Sequence, residues 1–136
     1  IKGGKLKGAR IDMNSTPDAL PIMAVVACFA DGQTELYNVS QARIKETDRI
    51  RVMSTELAKL GADIEEKEDG LVIKKSLLKG HSVSGHSDHR VVMALTVAGL
   101  MARGETIIDT AEAVNITFPD FFDLIKACHG DITLLD

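Results

Sequence analysis

Leu6-Lys7-Gly8 returns as Leu78-Lys79-Gly80, 72 positions further along the chain. The same offset, applied without a gap, also pairs Ser15 with Ser87, Val25 with Val97, Gly32 with Gly104, Thr34 with Thr106, Ile44 with Ile116 and Asp48 with Asp120. Identities at a fixed period indicate a repeated structural unit. We therefore predict two copies of one βαβ-type unit, with repeat 1 at about residues 5–76 and repeat 2 at about residues 77–136.

Apolar periodicity and turn residues predict the same order of elements in both copies. In repeat 1 we expect a strand over Leu6–Met13, then a mostly apolar helix through Ala30, with Thr16 as its N-cap and Pro17 at its first position. The elements predicted next are a strand over Thr34–Val39, a second helix ending at Leu60, strands Ala62–Glu65 and Leu71–Lys74 around a Glu68-Asp69-Gly70 turn, and, at the end of repeat 2, a closing strand over Asp131–Leu135. Strands that alternate with helices indicate the α/β class with parallel strand pairing.

The second predicted helix begins in a dense mixture of charges. Residues 41–51 read Gln-Ala-Arg-Ile-Lys-Glu-Thr-Asp-Arg-Ile-Arg, with four cationic and two anionic side chains. A solvated helix start, in which Glu46 pairs with Arg49 or Arg43, is one interpretation. An anion site that carries acid–base groups is the other.

Charged or polar residues also gather at the remaining predicted helix starts. These residues are Asp18 at the first start, Lys45, Glu46 and Arg49 at the second, Asp88, His89 and Arg90 at the third, and Thr117, Pro119 and Asp120 at the fourth. If the two units pack alike, the starts meet at one edge, where free backbone N–H groups and helix dipoles favour an anion. For Asp48 and Asp120, stabilisation of a helix N-terminus by about 0.3–1 kcal/mol is the simpler interpretation.

Composition limits the class of protein. The 136 residues suffice for one domain with a core, and 16 basic against 20 acidic residues give a net charge of −4. This charge, the absence of Trp and an aromatic content of 4% argue against a nucleic-acid partner or an anionic membrane surface. No apolar run approaches the roughly 20 residues that span a bilayer, and no signal peptide is visible, so we expect a cytoplasmic location. Because the chain does not begin with Met, we expect a fragment.

The cysteines and histidines give no strong signature. Cys28 and Cys128 each lie in an apolar helical stretch, which predicts two buried, reduced thiols, with a disulfide as the alternative. His81, His86 and His89 suggest a metal site, but their spacing fits no strong zinc template and no Cys lies nearby. We therefore expect neither a metal nor another cofactor.

Four motifs resemble those of the 5-enolpyruvylshikimate-3-phosphate synthase family in order and spacing. They are Asp12-Met13-Asn14 with Pro17-Asp18, then Arg43-Ile44-Lys45-Glu46-Thr47-Asp48-Arg49, then Asp88-His89-Arg90, and finally Thr117-Phe118-Pro119-Asp120-Phe121-Phe122. The resemblance covers the whole chain, which looks like the last third of such an enzyme, a partial C-terminal domain at residues 1–136. It implies two βαβαββ-type units of an inside-out α/β barrel domain, whose helix N-termini face a cleft between two domains. The N-terminal domain and the first repeat of this domain would be missing.

The resemblance also implies an activity and residue roles. The family transfers the enolpyruvyl group of phosphoenolpyruvate to the 5-hydroxyl of shikimate 3-phosphate, through a tetrahedral intermediate, and releases phosphate on the route to aromatic amino acids. Asp18 matches the general base for the hydroxyl, Glu46 the acid–base group at the methylene, and Lys45 a contact to the shared hydroxyl or the intermediate. The implied substrate-binding residues are Arg49 and Arg90, which would hold phosphoenolpyruvate, together with Gln41 and His89. Two arginines and the helix dipoles can neutralise phosphoenolpyruvate without a metal, nothing here requires a cofactor, and the full-length protein would be a monomer.

Two positions depart from the family pattern. Ile116 stands where many members have Lys, and Gln41 stands where many have Asn. The first change removes a cation, so affinity for phosphoenolpyruvate or for the inhibitor glyphosate would differ from that of a Lys-bearing member.

Two other functions stay open at this point. One is a related transferase that acts on a UDP-sugar, a branch that lacks the R-x-K-E-T-D-R and D-H-R set. The other is a non-catalytic α/β module that binds anions or a partner protein. Because the family's site lies between two domains, we expect the isolated chain to be inactive.

Overall fold

The computed structural model describes residues 3–135, which form six strands and four α-helices. In chain order the elements are β1 (Arg10–Asp12), α1 (Leu20–Ala27), β2 (Gln33–Tyr37), α2 (Arg49–Lys59), β3 (Asp63–Lys67), β4 (Gly70–Lys74), β5 (Ser82–Ser84), α3 (His89–Met101), β6 (Ile107–Asp109) and α4 (Phe121–Ala127). Short 3-10 helices, Pro17–Ala19, Ser40–Ile44 and Ala111–Ile116, precede α1, α2 and α4. The first six elements are the predicted βαβαββ order.

Two sheets organise these strands. One has the order β1-β2-β4-β3, in which β1 and β2 are parallel and β4 is antiparallel to both β2 and β3. The other sheet consists of β5 and β6, which are parallel. The predicted parallel pairing is therefore correct for β1–β2 and for β5–β6. The β3–β4 hairpin is antiparallel because a tight turn reverses the chain.

The repeated Leu-Lys-Gly sequence has a steric explanation. A Cβ added to Gly8 would lie 2.2 Å from the Gln33 carbonyl oxygen, and one added to Gly80 would lie 2.0 Å from the Glu105 carbonyl oxygen. Both glycines thus lie where two backbones cross too closely for any side chain. The preceding residues, Lys7 and Lys79, form parallel bridges with Asp31 and Arg103, which differ by the same offset of 72.

The second unit departs from the prediction at its end. Residues 131–135 form no strand, so the closing strand predicted there is wrong. Within residues 3–135, β6 pairs only with β5, and no strand lies alongside the last residues to accept their backbone hydrogen bonds. The start of the first helix also differs from expectation. The Thr16 side chain accepts no capping hydrogen bond, and a 3-10 turn at Pro17–Ala19 precedes α1.

The core lies between the four-stranded sheet and helices α1, α2 and α3. Its fully buried members include Leu20, Leu36, Met53, Leu71 and Leu95. A smaller cluster, Val92, Ala113, Val114 and Phe121, lies under α4. No helix within residues 3–135 combines the length and apolar character needed to cross a bilayer.

The two cysteines differ in environment. Cys28 is buried in the core, as expected, whereas Cys128 is exposed at the end of α4, so the predicted burial of Cys128 is wrong. Both thiols are free. The short helix α4 lies at the periphery of the described chain, and only Phe121 of this helix is buried.

Candidate active site

Three of the four predicted helix starts meet at one place. We call the residues that meet there the charged cluster: Asp18, Lys45, Glu46, Arg49, Asp88, His89 and Arg90. Its ion pairs include Arg49 Nη1–Asp18 Oδ1 at 2.9 Å, Arg49 Nη2–Glu46 Oε2 at 2.6 Å, Arg49 Nε–Asp88 Oδ2 at 2.8 Å, Lys45 Nζ–Asp18 Oδ1 at 3.4 Å, Arg90 Nη2–Asp18 Oδ2 at 3.5 Å and His89 Nδ1–Glu46 Oε1 at 3.9 Å. The fourth start is different: in the part of the chain that the structure describes, Thr117 and Asp120 form no side-chain hydrogen bond or ion pair with the cluster.

Arg49 is the centre of the charged cluster. Its side chain is 0% exposed, and its guanidinium donates to Asp18, Glu46 and, through two nitrogens, Asp88. Burial would lower the pKa of Arg49, but hydrogen bonding to Asp88 and the nearby negative charges outweigh burial and raise this pKa. In this structure the guanidinium is therefore occupied by protein carboxylates. The direct hold on phosphoenolpyruvate expected for Arg49 stays a prediction.

Asp88 links the starts of α2 and α3, a role that the sequence reasoning did not assign to it. Its carboxylate is completely buried, accepts from the Arg90 backbone N–H at 2.9 Å as the cap of α3, and also binds Arg49. Burial would raise the pKa of Asp88, but the hydrogen bond and charge of Arg49 lower it. Its position before a helix was visible in the sequence. Its partner, 39 residues earlier, was not.

Asp18 lies on the 3-10 turn before α1 and is surrounded by cations. Its side chain is 47% exposed and contacts Lys45, Arg49 and Arg90. Burial would raise the pKa of Asp18, but the positive charges of Arg90, Lys45 and Arg49 outweigh it and hold this pKa below its ordinary value. Asp18 is therefore a carboxylate at neutral pH, able to accept a hydroxyl proton.

Glu46 lies across Arg49 from Asp18. It belongs to the segment between the 3-10 helix Ser40–Ile44 and α2, and its side chain is also 47% exposed. One oxygen accepts from Arg49 and the other faces His89. Two accessible carboxylates thus share a single buried guanidinium. This geometry places two acid–base groups beside one another on separate elements.

Gln41, on the 3-10 helix Ser40–Ile44, is held by a polar network that includes no member of the charged cluster. Its Nε2 donates to the backbone carbonyl of Asn14 at 2.9 Å, and the Asn14 side chain donates to the Asn38 carbonyl. Asn38 in turn donates to both oxygens of Asp12. The Asp-Met-Asn motif at residues 12–14 therefore positions Gln41. Ile116, at the end of the 3-10 helix Ala111–Ile116, is 76% exposed.

The remaining charges of residues 41–51 have structural partners. Asp48 is the N-cap of α2 and accepts from the Arg51 backbone N–H at 3.0 Å, as the simpler interpretation proposed. Arg43 binds Asp48 and Glu66, each at 2.8 Å, so Glu46 pairs with Arg49 rather than with Arg43. At the other position, the Asp120 side chain makes no cap hydrogen bond.

The histidines are dispersed. The His81 ring faces the Ser82 carbonyl, the His86 ring faces Glu56, and the His89 ring faces Glu46. Among residues 3–135, no group of three or more His, Cys, Asp or Glu side chains is arranged to hold a metal ion.

Comparison with known proteins identifies the family. The chain matches the EPSP synthase (3-phosphoshikimate 1-carboxyvinyltransferase) family over residues 1–125. Proteins named 3-phosphoshikimate 1-carboxyvinyltransferase from Ruminiclostridium cellulolyticum and Acetivibrio thermocellus are 62% and 64% identical over 99% and 98% of the chain. A solved EPSP synthase from Acinetobacter baumannii is 34% identical over 90% of the chain, with a TM-score of 0.84, and 30% of its own length is covered.

The aligned region includes nearly all of this chain but only part of each relative. The chain spans 32% and 31% of the two curated relatives, about a third of their length, while nearly all of the chain is aligned. The motifs quoted above and the charged cluster lie inside the matched residues 1–125. The chain therefore belongs to the EPSP synthase family.

Proposed function

We propose that this chain is the C-terminal portion of an enzyme that transfers the enolpyruvyl group of phosphoenolpyruvate to the 5-hydroxyl of shikimate 3-phosphate and releases phosphate. The observation that carries the proposal is the pair of accessible carboxylates, Asp18 and Glu46, on either side of the buried Arg49. The names of the relatives support the same activity. The rest of the enzyme would include the N-terminal domain, and we place the full-length protein in the cytoplasm as a monomer.

The reaction needs two proton transfers in its first half. A proton must reach the methylene carbon of phosphoenolpyruvate while the attacking hydroxyl loses its own, so two acid–base groups must act near one substrate. Glu46, in its protonated form, would supply the methylene proton and so become a carboxylate, and Asp18 would accept the hydroxyl proton. In the second half the C–O bond to phosphate breaks, and Glu46 takes a proton back from the new methyl group.

Cations around these carboxylates would neutralise the substrate anions. The side chains of Lys45 and Arg90 are 32% and 40% exposed and both approach Asp18, so each can also reach a ligand above it. The N-terminus of α3 adds a partial positive charge, while its Arg90 and Val91 backbone N–H groups are already bound by the Asp88 side chain. Arg49 would orient Asp18 and Glu46 from the protein interior. A direct contact of Arg49 with phosphoenolpyruvate would require the ion pair of Arg49 with one of these carboxylates to break.

The test uses the full-length protein. Purified protein should release phosphate and form the enolpyruvyl ether from phosphoenolpyruvate and shikimate 3-phosphate, but should form no ether on a UDP-sugar acceptor. Asp18→Asn and Glu46→Gln should each lower kcat by about 100-fold or more without loss of folding. The matched controls Asp63→Asn and Glu65→Gln, exposed carboxylates on β3, should keep wild-type activity.

Other outcomes point to other functions. Ether formation on a UDP-sugar would assign the chain to the related transferase branch. Binding of anions without turnover in the full-length protein, unchanged in Asp18→Asn and Glu46→Gln, would favour a non-catalytic module.

A further inference from the structure

The turn that leads into α3 has an unusual backbone. His86 and Ser87 both have positive φ, 52° and 55°, although neither is glycine. Residues other than Gly rarely adopt this conformation, although Asn, Asp and His do so more often than the rest, and two in succession persist only where surrounding groups fix them. The turn ends at Asp88, directly before His89 and Arg90 of the charged cluster. The conformation of this turn therefore determines the position of Arg90.

One side of the turn is held from β6. Asp109 Oδ1 accepts from the Ser84 hydroxyl at 2.7 Å and from the Gly85 N–H at 2.9 Å. The hydroxyl of Thr110 accepts from the Ser87 N–H at 3.0 Å. These bonds anchor the turn within the second unit, and none of them involves the His86 side chain.

Glu56 holds the other side from α2. Its side chain is 2% exposed, and it accepts from the Ser84 N–H at 2.9 Å, faces His86 Nε2 at 3.0 Å and binds Lys59 Nζ at 2.7 Å. Burial would raise the pKa of Glu56, but the hydrogen bonds from His86 and Lys59 lower it. A buried, charged glutamate thus reaches across to a loop of the other unit.

Glu56 and Arg49 act on the same segment from one helix. Glu56 lies seven residues, about two turns, after Arg49 on α2. Arg49 binds Asp88 at the end of the turn, and Glu56 binds Ser84 and His86 at its beginning. The turn is therefore fixed at both ends to α2.

We propose that Glu56 is a positioning residue, which acts through Ser84 and His86 to hold the strained turn and so presents Arg90 to the phosphoenolpyruvate anion. The proposal rests on the proposed function, because it assumes that Arg90 binds this substrate. Within residues 3–135, Glu56 forms no hydrogen bond or ion pair with the charged cluster, so its effect on Arg90 must pass through the turn.

The experiment uses two variants of the full-length protein and one control. Glu56→Gln preserves the size of the side chain and removes its charge. His86→Asn tolerates positive φ and removes the imidazole from the exposed side, so it leaves the core intact. His81→Asn is the matched control, because the His81 ring is exposed and its hydrogen bond, among the described residues, is to the neighbouring Ser82 carbonyl. Steady-state kinetics and amide hydrogen exchange are measured for each protein.

We expect the KM for phosphoenolpyruvate to rise about tenfold in Glu56→Gln and in His86→Asn, while the KM for shikimate 3-phosphate changes less than about twofold. The double variant should be no worse than the more affected single variant, because both remove one contact. Exchange at the Ser84 amide should accelerate in Glu56→Gln, and His81→Asn should match the wild type.

Two results would overturn the inference in different ways. If the wild-type protein is active and both variants keep its KM for phosphoenolpyruvate, Glu56 is only a structural residue and the inference fails alone. If the wild-type protein forms no product, the proposed function fails, and the positioning role fails with it.

Discussion

Replacement of Arg49 by Met tests the centre of the charged cluster. Asp88 has no exposed side-chain surface, so the loss of Arg49 leaves an uncompensated buried charge, which typically destabilises a protein by about 3–5 kcal/mol. Asp18 and Glu46 are 47% exposed, and water can replace Arg49 beside them, so each adds at most about 1 kcal/mol. We expect a loss of about 3–7 kcal/mol in the free energy of unfolding, against a typical total of about 5–15 kcal/mol.

The assay is urea unfolding followed by far-ultraviolet circular dichroism, since the chain contains no Trp. A second variant that combines Arg49→Met with Asp88→Asn removes the stranded charge as well and should recover about 2 kcal/mol or more. Arg10→Met is the control, because Arg10 pairs with Glu35 in an exposed ion pair, and its loss should stay within about 1 kcal/mol. A loss below about 1 kcal/mol for Arg49→Met, or no recovery in the double variant, would refute this reasoning.

Four further outcomes follow from the structure. The 136-residue chain alone should give no enolpyruvyl ether with both substrates, and measurable product would contradict the two-domain requirement. The pKa values of Asp88 and Glu56 are lowered on folding, so their stabilisation is present above the ordinary carboxyl pKa of about 4 and is lost as pH falls through the lowered values. Urea titrations should therefore show that the free energy of unfolding decreases below about pH 4, and less steeply in Glu56→Gln. The same dependence on pH in Glu56→Gln as in the wild type would contradict the role given to Glu56. Gly80→Ala would place a Cβ 2.0 Å from the Glu105 carbonyl oxygen and should lower the free energy of unfolding by about 1–3 kcal/mol or more, whereas Gly3→Ala meets no atom and should not. A thiol reagent should modify Cys128 quickly and Cys28 only after unfolding, because burial raises the pKa of the Cys28 thiol to about 11; two fast thiols in the native chain would contradict this.

Local patterns in the sequence were sufficient for most of the fold. The Glu68-Asp69-Gly70 turn predicted the β3–β4 hairpin, and the change from alternating to helical periodicity located α1 and α2 within a few residues. The closing strand over residues 131–135 was predicted from the repeated order of elements, yet a strand also needs a partner backbone, which a sequence pattern does not report.

The charged cluster was predictable as a group but not in its connections. Helix-start positions brought Asp18, Lys45, Glu46 and Arg90 together, because the starts of repeated units share an edge. The burial of Arg49 and its ion pair with Asp88 depend on how α2 and α3 pack. From sequence alone, an arginine at a helix start is expected to be exposed to solvent. The Glu56–His86 contact was invisible for the same reason, since it joins two units across 30 residues of chain.

The most direct test of the proposed chemistry follows protons at the phosphoenolpyruvate methylene. The full-length protein is incubated with both substrates in deuterium oxide, and the methylene positions of the product and of recovered phosphoenolpyruvate are analysed by mass spectrometry. If Glu46 donates and removes the methylene proton, the wild-type protein incorporates deuterium, and Glu46→Gln does so at least about 100-fold more slowly. Incorporation by Glu46→Gln at the wild-type rate would contradict the account.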